Sequence, residues 1–141
     1  MENNMTISKY ITELLNQNKG ISVETNHIKD GSDKYGLFKS PSRNLKDLLD
    51  GSYEITEHYQ FNARQNTVSE AERKEVDEWL EDLAYWADDY PLHNEFPELD
   101  KGRRVVGFSI TGSPYPMEAD SRETLYQMAL SITYTREREV Y

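Results

Sequence analysis

Apolar and polar residues alternate most cleanly in two places. Tyr53, Ile55, Tyr59, Phe61 and Ala63 fall on one side of an extended chain, with Glu54, Thr56, His58, Gln60, Asn62 and Arg64 on the other. Successive side chains of a strand point to opposite faces, so 51–64 predicts one long, half-buried strand. Residues 125–140 predict another, since Tyr126, Met128, Leu130, Ile132 and Tyr134 alternate with Gln127, Ala129, Ser131 and Thr133. Glu57 interrupts the first pattern on its apolar side, and predicts a bulge or a point where the strand leaves the core.

Two stretches carry the helical period instead. Ile7, Ile11, Leu14 and Leu15 form one stripe of a helix predicted over about 7–18, with Thr6 as N-cap and Gly20 as its C-terminal stop. Ser69-Glu70-Ala71-Glu72 has the form of a capping box and opens a helix predicted to about Asp88. Val76, Leu80, Leu83 and Ala87 make its stripe, with Trp79 and Trp86 beside it.

The remaining segments are shorter. Ile21, Val23 and Thr25 alternate with Ser22, Glu24 and Asn26 as a strand. The Asp30-Gly31 pair in the turn 29–33 is a hairpin signal, with 34–39 as the returning strand. Ser40-Pro41-Ser42 is expected to break that strand, and 44–50, with Leu45, Leu48 and Leu49, to form a helical turn closed by Gly51. Pro91 and Pro97 mark an irregular connection. Residues 104–111 are a further strand, with Val106, Phe108 and Ile110 inward, and 112–117 a loop exposing Tyr115 and Met117. Together these predict an α+β fold: a mostly antiparallel β-sheet with two helices packed on one face. The other sheet face is left polar or is covered by a partner.

At 141 residues, the chain has the size of one domain, spanning 1–141. Its 16 Tyr, Phe and Trp residues argue against disorder. The formal charge of −10 argues against duplex recognition, which needs clustered Lys and Arg, and leaves a basic protein partner open. The chain has no cysteine, so disulfides, thiolate zinc sites and thiol nucleophiles drop out together. Met-Glu-Asn-Asn-Met lacks the character of a signal peptide, and no apolar run approaches the roughly 20 residues of a membrane span. A soluble protein is expected.

Candidate chemistry is sparse. His27, His58 and His93 are far apart, none with the spacing of a zinc helix. His58 belongs to the polar side of its strand, where solvent exposure is expected. His93 sits among acids in a proline-bounded segment, where a metal role is the minor reading. The nine acids between Ser69 and Asp89 follow the polar arc of an amphipathic helix, the pattern of a solvated face rather than of an acid–base pair. Gly112-Ser113-Pro114-Tyr115 lacks the spacing and the second glycine of a nucleophile elbow. Neither a catalytic, a cofactor nor a metal set is assigned, and no enzymatic activity is expected. Contact-forming residues are plentiful by comparison: ten tyrosines, and Tyr115 and Met117 as interface candidates.

Several segments together resemble a known family. They are Asp50-Gly51-Ser52 leading into a strand with Tyr59 and Phe61, Val-Asp-Glu-Trp-Leu-Glu at 76–81, Pro91-Leu92, Val-Val-Gly-Phe-Ser-Ile-Thr-Gly-Ser-Pro at 105–114, and the closing Leu-Tyr-Gln-Met-Ala-Leu-Ser-Ile-Thr-Tyr. Their order resembles the minor capsid or tail terminator proteins of long-tailed (siphovirus-type) phages and prophages, most closely over 50–134. The resemblance implies a tail-terminator-like α+β sandwich that assembles as a homo-oligomer, a hexameric ring capping the tail tube. Its implied partners are further copies of itself and the tail tube and neck proteins, without membrane, cofactor or direct nucleic-acid recognition. It implies a place in the virion after assembly in the host bacterial cytoplasm. The family has no catalytic residues to carry over. A head-completion or neck protein of the same joint and an acidic, monomeric protein-binding domain are the alternatives.

Overall fold

The computed structural model describes residues 5–99, 101–120 and 122–138. In chain order the elements are α1 (Ile7–Lys19), β1 (Val23–Thr25), β2 (Lys34–Asp47), β3 (Tyr53–Asn66), α2 (Glu70–His93), β4 (Glu98–Leu99), β5 (Arg103–Ala119) and β6 (Glu123–Arg136). The strands form one sheet in the order β1-β2-β3-β6-β5-β4, antiparallel except at β1–β2. This is the α+β architecture expected from the alternation.

Local chemistry sets both helix starts. The Thr6 hydroxyl accepts from the Lys9 N–H at 3.0 Å, and Gly20 closes α1 in the left-handed conformation at φ 64°. Ser69 and Glu72 complete a reciprocal capping box on α2. The second helix runs past the predicted stop, taking Pro91 into its last turn. Tyr90 stacks between Trp86 and Phe96, at 5.3 and 5.9 Å between centroids, and this aromatic packing holds the turn that Pro91 weakens.

Both helices lie on the same sheet face. Tyr53, Ile55, Glu57, Tyr59, Phe61 and Ala63 of β3 stand opposite Arg136, Tyr134, Ile132, Leu130, Met128 and Tyr126 of β6, and their apolar members share a single core with Ile11 and Leu15 of α1 and Leu80, Leu83 and Ala87 of α2. Trp79 packs on Tyr35 and Phe61, and Trp86 on Phe108, so the two tryptophans clamp α2 onto β2–β3 and onto β5. Among the described residues, no helix covers the opposite face. There Thr56 meets Thr133 at 3.0 Å, Ser109 meets Ser131 at 3.2 Å, and Gln127 donates to Gln60 at 2.8 Å: a polar ladder across β3, β6 and β5.

Several local expectations are corrected. The Asp30-Gly31 turn does not make a hairpin: β1 and β2 are parallel, with Val23 opposite Tyr35. Asn26, Gly31 and Asp33 take left-handed backbone, and the connection crosses the uncovered face, where the Lys29 carbonyl accepts from Arg64 at 3.2 Å. Ser40-Pro41-Ser42 does not end its strand. It is absorbed as a bulge between Lys39 and Arg43, and β2 continues to Asp47. Residues 44–47 are strand, not helix. Their leucine spacing is helical, but pairing to Tyr53–Thr56 through a tight turn at 48–51 wins, with Gly51 at φ 90°. Glu57 does mark a bulge, but in the neighbouring strand: the Lys39–Arg43 irregularity of β2 falls opposite Glu57–Tyr59, while Glu57 itself keeps register opposite Ile132 and stays buried in the core. The 112–117 loop is strand as well, the outer half of a β5 carrying several register shifts. One of these shifts falls between Val105 and Gly107 and turns Val106 outward, leaving Val105 in the core.

Candidate functional site

The most concentrated polar chemistry surrounds Glu57, whose side chain reaches the core because alternation places residue 57 on the helix-facing side of β3. At 5% exposure it needs partners. The Tyr59 and Tyr134 hydroxyls donate to its two carboxylate oxygens at 2.7 and 2.6 Å, and the Lys39 ammonium stands 3.4 Å away. Ser8 of α1 in turn donates to Tyr59 at 3.3 Å. Burial alone would push the Glu57 carboxyl up, but the hydrogen bonds from Tyr134 and Tyr59, with Lys39, outweigh it and hold the group below the usual carboxylate range. Burial, together with the carboxylate beside them, pushes both phenols well above their usual value.

The hydrogen bonds run from two phenols to one buried carboxylate and tie α1, β3, β6 and the root of β2 together, at the point where the 40–42 bulge begins. The organising residue was visible in the sequence as an acid out of phase. Its partners were not, because Tyr134 is distant in the chain and a tyrosine in an apolar stripe looks like core.

Two shallow cavities flank α2. One, of about 260 Å³, is lined by Asp33, Tyr35, Gln65, Glu75, Val76 and Trp79. The other, of about 220 Å³, lies between α2 and β5, where Asp77, Leu80, Glu81, Ala84 and Tyr85 face Ser113 and Pro114. Among the described residues, no three His, Asp or Glu side chains converge as metal ligands. His27 is exposed, and His58 is half-buried rather than fully exposed. The His93 side chain, and with it the metal reading considered there, lies outside the described residues. None of the described helices is long and apolar enough to cross a membrane.

The interface candidates Tyr115 and Met117 both lie on the outer half of β5, 48% and 44% exposed. Tyr115 is not a free side chain: its hydroxyl donates to Gln127 at 2.6 Å and so joins the polar ladder of the uncovered face. The structure also reveals a paired feature that alternation did not show. The outer halves of β2 and β5 both run past the core as exposed arms, one carrying Leu45 and the other Tyr115 and Met117. No family model and no curated protein matches this chain.

Proposed function

We propose that this protein is a structural assembly protein of a long-tailed phage or prophage, the tail terminator that caps the tail tube as a ring and forms part of the head–tail joint. The observation that carries this reading is a small α+β core whose two outer strands extend beyond it as exposed arms, while its buried acid is locked by hydrogen bonds. Such a molecule offers contact surface rather than reactive groups. The order of segments over 50–134 supplies the family, and the ten tyrosines supply side chains of the kind that interfaces favour. In this role the protein has no catalytic residues and needs no cofactor.

The test is tail length. Purified tail-tube subunits polymerised with the protein should stop at a capped end, and a phage lacking the gene should make tails of uncontrolled length in electron micrographs. Tubes of the same length distribution with and without the protein would overturn the reading. A head-completion role at the same joint predicts binding to the neck without any effect on tube growth. The acidic face of α2 favours the second alternative, a monomeric binder of a basic protein, and the same micrographs would then show no change in the tails.

A further inference from the structure

We propose that copies of this chain pair head to tail, the Arg43–Asp47 arm of β2 of one copy adding as a strand to the open edge of β5, at Val106–Ser113, of the next. The inference deepens the ring reading above and rests on it only for the expectation that copies meet.

Both edges of the sheet are half blocked and half open. On β2, β1 pairs with Tyr35–Leu37, and Asn26 occupies the Leu37 carbonyl and the Lys39 N–H; from 40 to 47 no strand among the described residues lies on the outer side. On β5, β4 pairs only with Arg103 and Arg104, and the edge beyond them carries no strand among the described residues. An open edge of this kind is a template for another strand. Prolines limit which part is usable. They cannot donate to a ladder, so the proline-free stretches, Arg43–Asp47 on β2 and Val106–Ser113 on β5, are the segments able to pair fully.

Charge selects the pairing. On the helix-bearing face the β2 arm carries Lys39 and Arg43, while Asp47 on that face is held by Arg138 at 2.9 Å; Lys46 stands on the opposite face. The β5 edge lies beside α2, whose Asp77 and Glu81 line the adjoining cavity. Two β2 arms brought together oppose cations to cations, and two β5 edges oppose the acidic helices, so both two-fold arrangements are penalised. The heterologous pairing brings opposite signs together.

The geometry is consistent with that choice. Strands β2, β3, β6 and β5 alternate in direction, so a β2 added outside β5 continues the antiparallel sheet. Leu45 lies opposite Ile55 and therefore on the helix-bearing face. In a continued sheet that face also presents the 220 Å³ cavity beside Ser113, with Leu80, Ala84 and Tyr85 as its apolar lining. Leu45, now 46% exposed, is the side chain that would fill it. Across one copy Leu45 is level with Ile55, Tyr134 and Val105, so seating it beside Ser113 of the next copy displaces the two along the strands. Successive copies are therefore staggered, and a stagger repeated at every junction is what closes a sheet on itself or winds it into a helix.

The test is sedimentation of the full chain from about 1 µM to about 1 mM, a range that spans weak and moderate association. The unaltered chain should associate reversibly. R43E on the arm and E81K in the groove should each weaken association by about tenfold or more, and the chain carrying both reversals should recover most of it. Melting curves establish that the variants fold, and L45D serves as a second arm variant where a reversal destabilises. A chain monomeric throughout, association indifferent to both reversals, or no recovery in the double variant would each overturn the proposal. Tube capping separates the two readings. A protein that caps tubes but ignores the reversals removes this surface alone, and one that pairs as described but caps nothing removes the terminator role alone.

Discussion

Glu57 decides how the core answers to acid. Its pKa is held below that of the unfolded chain, because the hydrogen bonds from Tyr134 and Tyr59, with Lys39, outweigh the opposing effect of burial. The folded state therefore binds fewer protons than the unfolded one as pH falls through the carboxylate range near 4. The stabilisation is accordingly complete above the unfolded pKa and is lost as pH drops through the folded one. E57Q should lower stability at neutral pH by about 1–3 kcal/mol, the scale of hydrogen bonds to a charged group. It should also flatten the decline in stability between neutral and acidic pH, read from urea midpoints at several pH values. An unchanged acid limb would show that other carboxylates control it. Tyr10 presents the opposite case. Its hydroxyl is buried without a hydrogen-bond partner among the described residues, and burial together with Tyr90 pushes its pKa up to about 12. Tyr10→Phe removes an unsatisfied polar atom and keeps the ring, so it should leave stability unchanged or raise it by up to about 1 kcal/mol, measured by thermal melting.

At the scale of elements, the parts governed by alternation or by capping were legible in the sequence. β3, β6, both helix starts and the tryptophan-bearing stripe of α2 follow from local pattern, because each buries one face and each is long enough for its period to show. The misread parts share a different cause. Residues 44–47 and 112–119 are held by hydrogen bonds to neighbouring strands rather than by burial, so their side chains carry no alternation for a pattern to detect. The hairpin expected at Asp30-Gly31 failed for a related reason: a turn signal says that the chain reverses, not which strand it returns beside. Gly36 records the outcome, since a Cβ there would collide with the His27 carbonyl, where the connection crosses the sheet. Gly36→Ala should therefore destabilise by about 1–3 kcal/mol, the cost of forced overpacking. If the urea midpoint of that variant did not move, the connection would be free to withdraw from the sheet. The Glu57 cluster was half legible. The acid stood out of phase, whereas its distant tyrosine and its link to the β2 arm through Lys39 required the three-dimensional pairing.

For the whole molecule, charge acts in two opposed ways. The chain carries −10, and the segment from Ser69 to Asp89 alone contributes −7 of it, so like charges crowd one helix of a single subunit. That repulsion is present in every copy and weakens the fold. Between copies, the proposed junction sets the cationic β2 arm against this same acidic helix, where the charge is attractive. Salt screens both effects, since the Debye length falls from about 30 Å at 0.01 M to about 3 Å at 1 M. The two consequences have opposite signs. Raising salt should increase the melting temperature at concentrations where the chain is monomeric, as helix self-repulsion fades. Over the same range it should weaken association in the centrifuge, as the attraction between arm and helix fades. Melting and sedimentation measured on the same samples would separate the two. If association strengthened with salt instead, the junction would be held by apolar contacts of Leu45 with Leu80, Ala84 and Tyr85, with charge only opposing it.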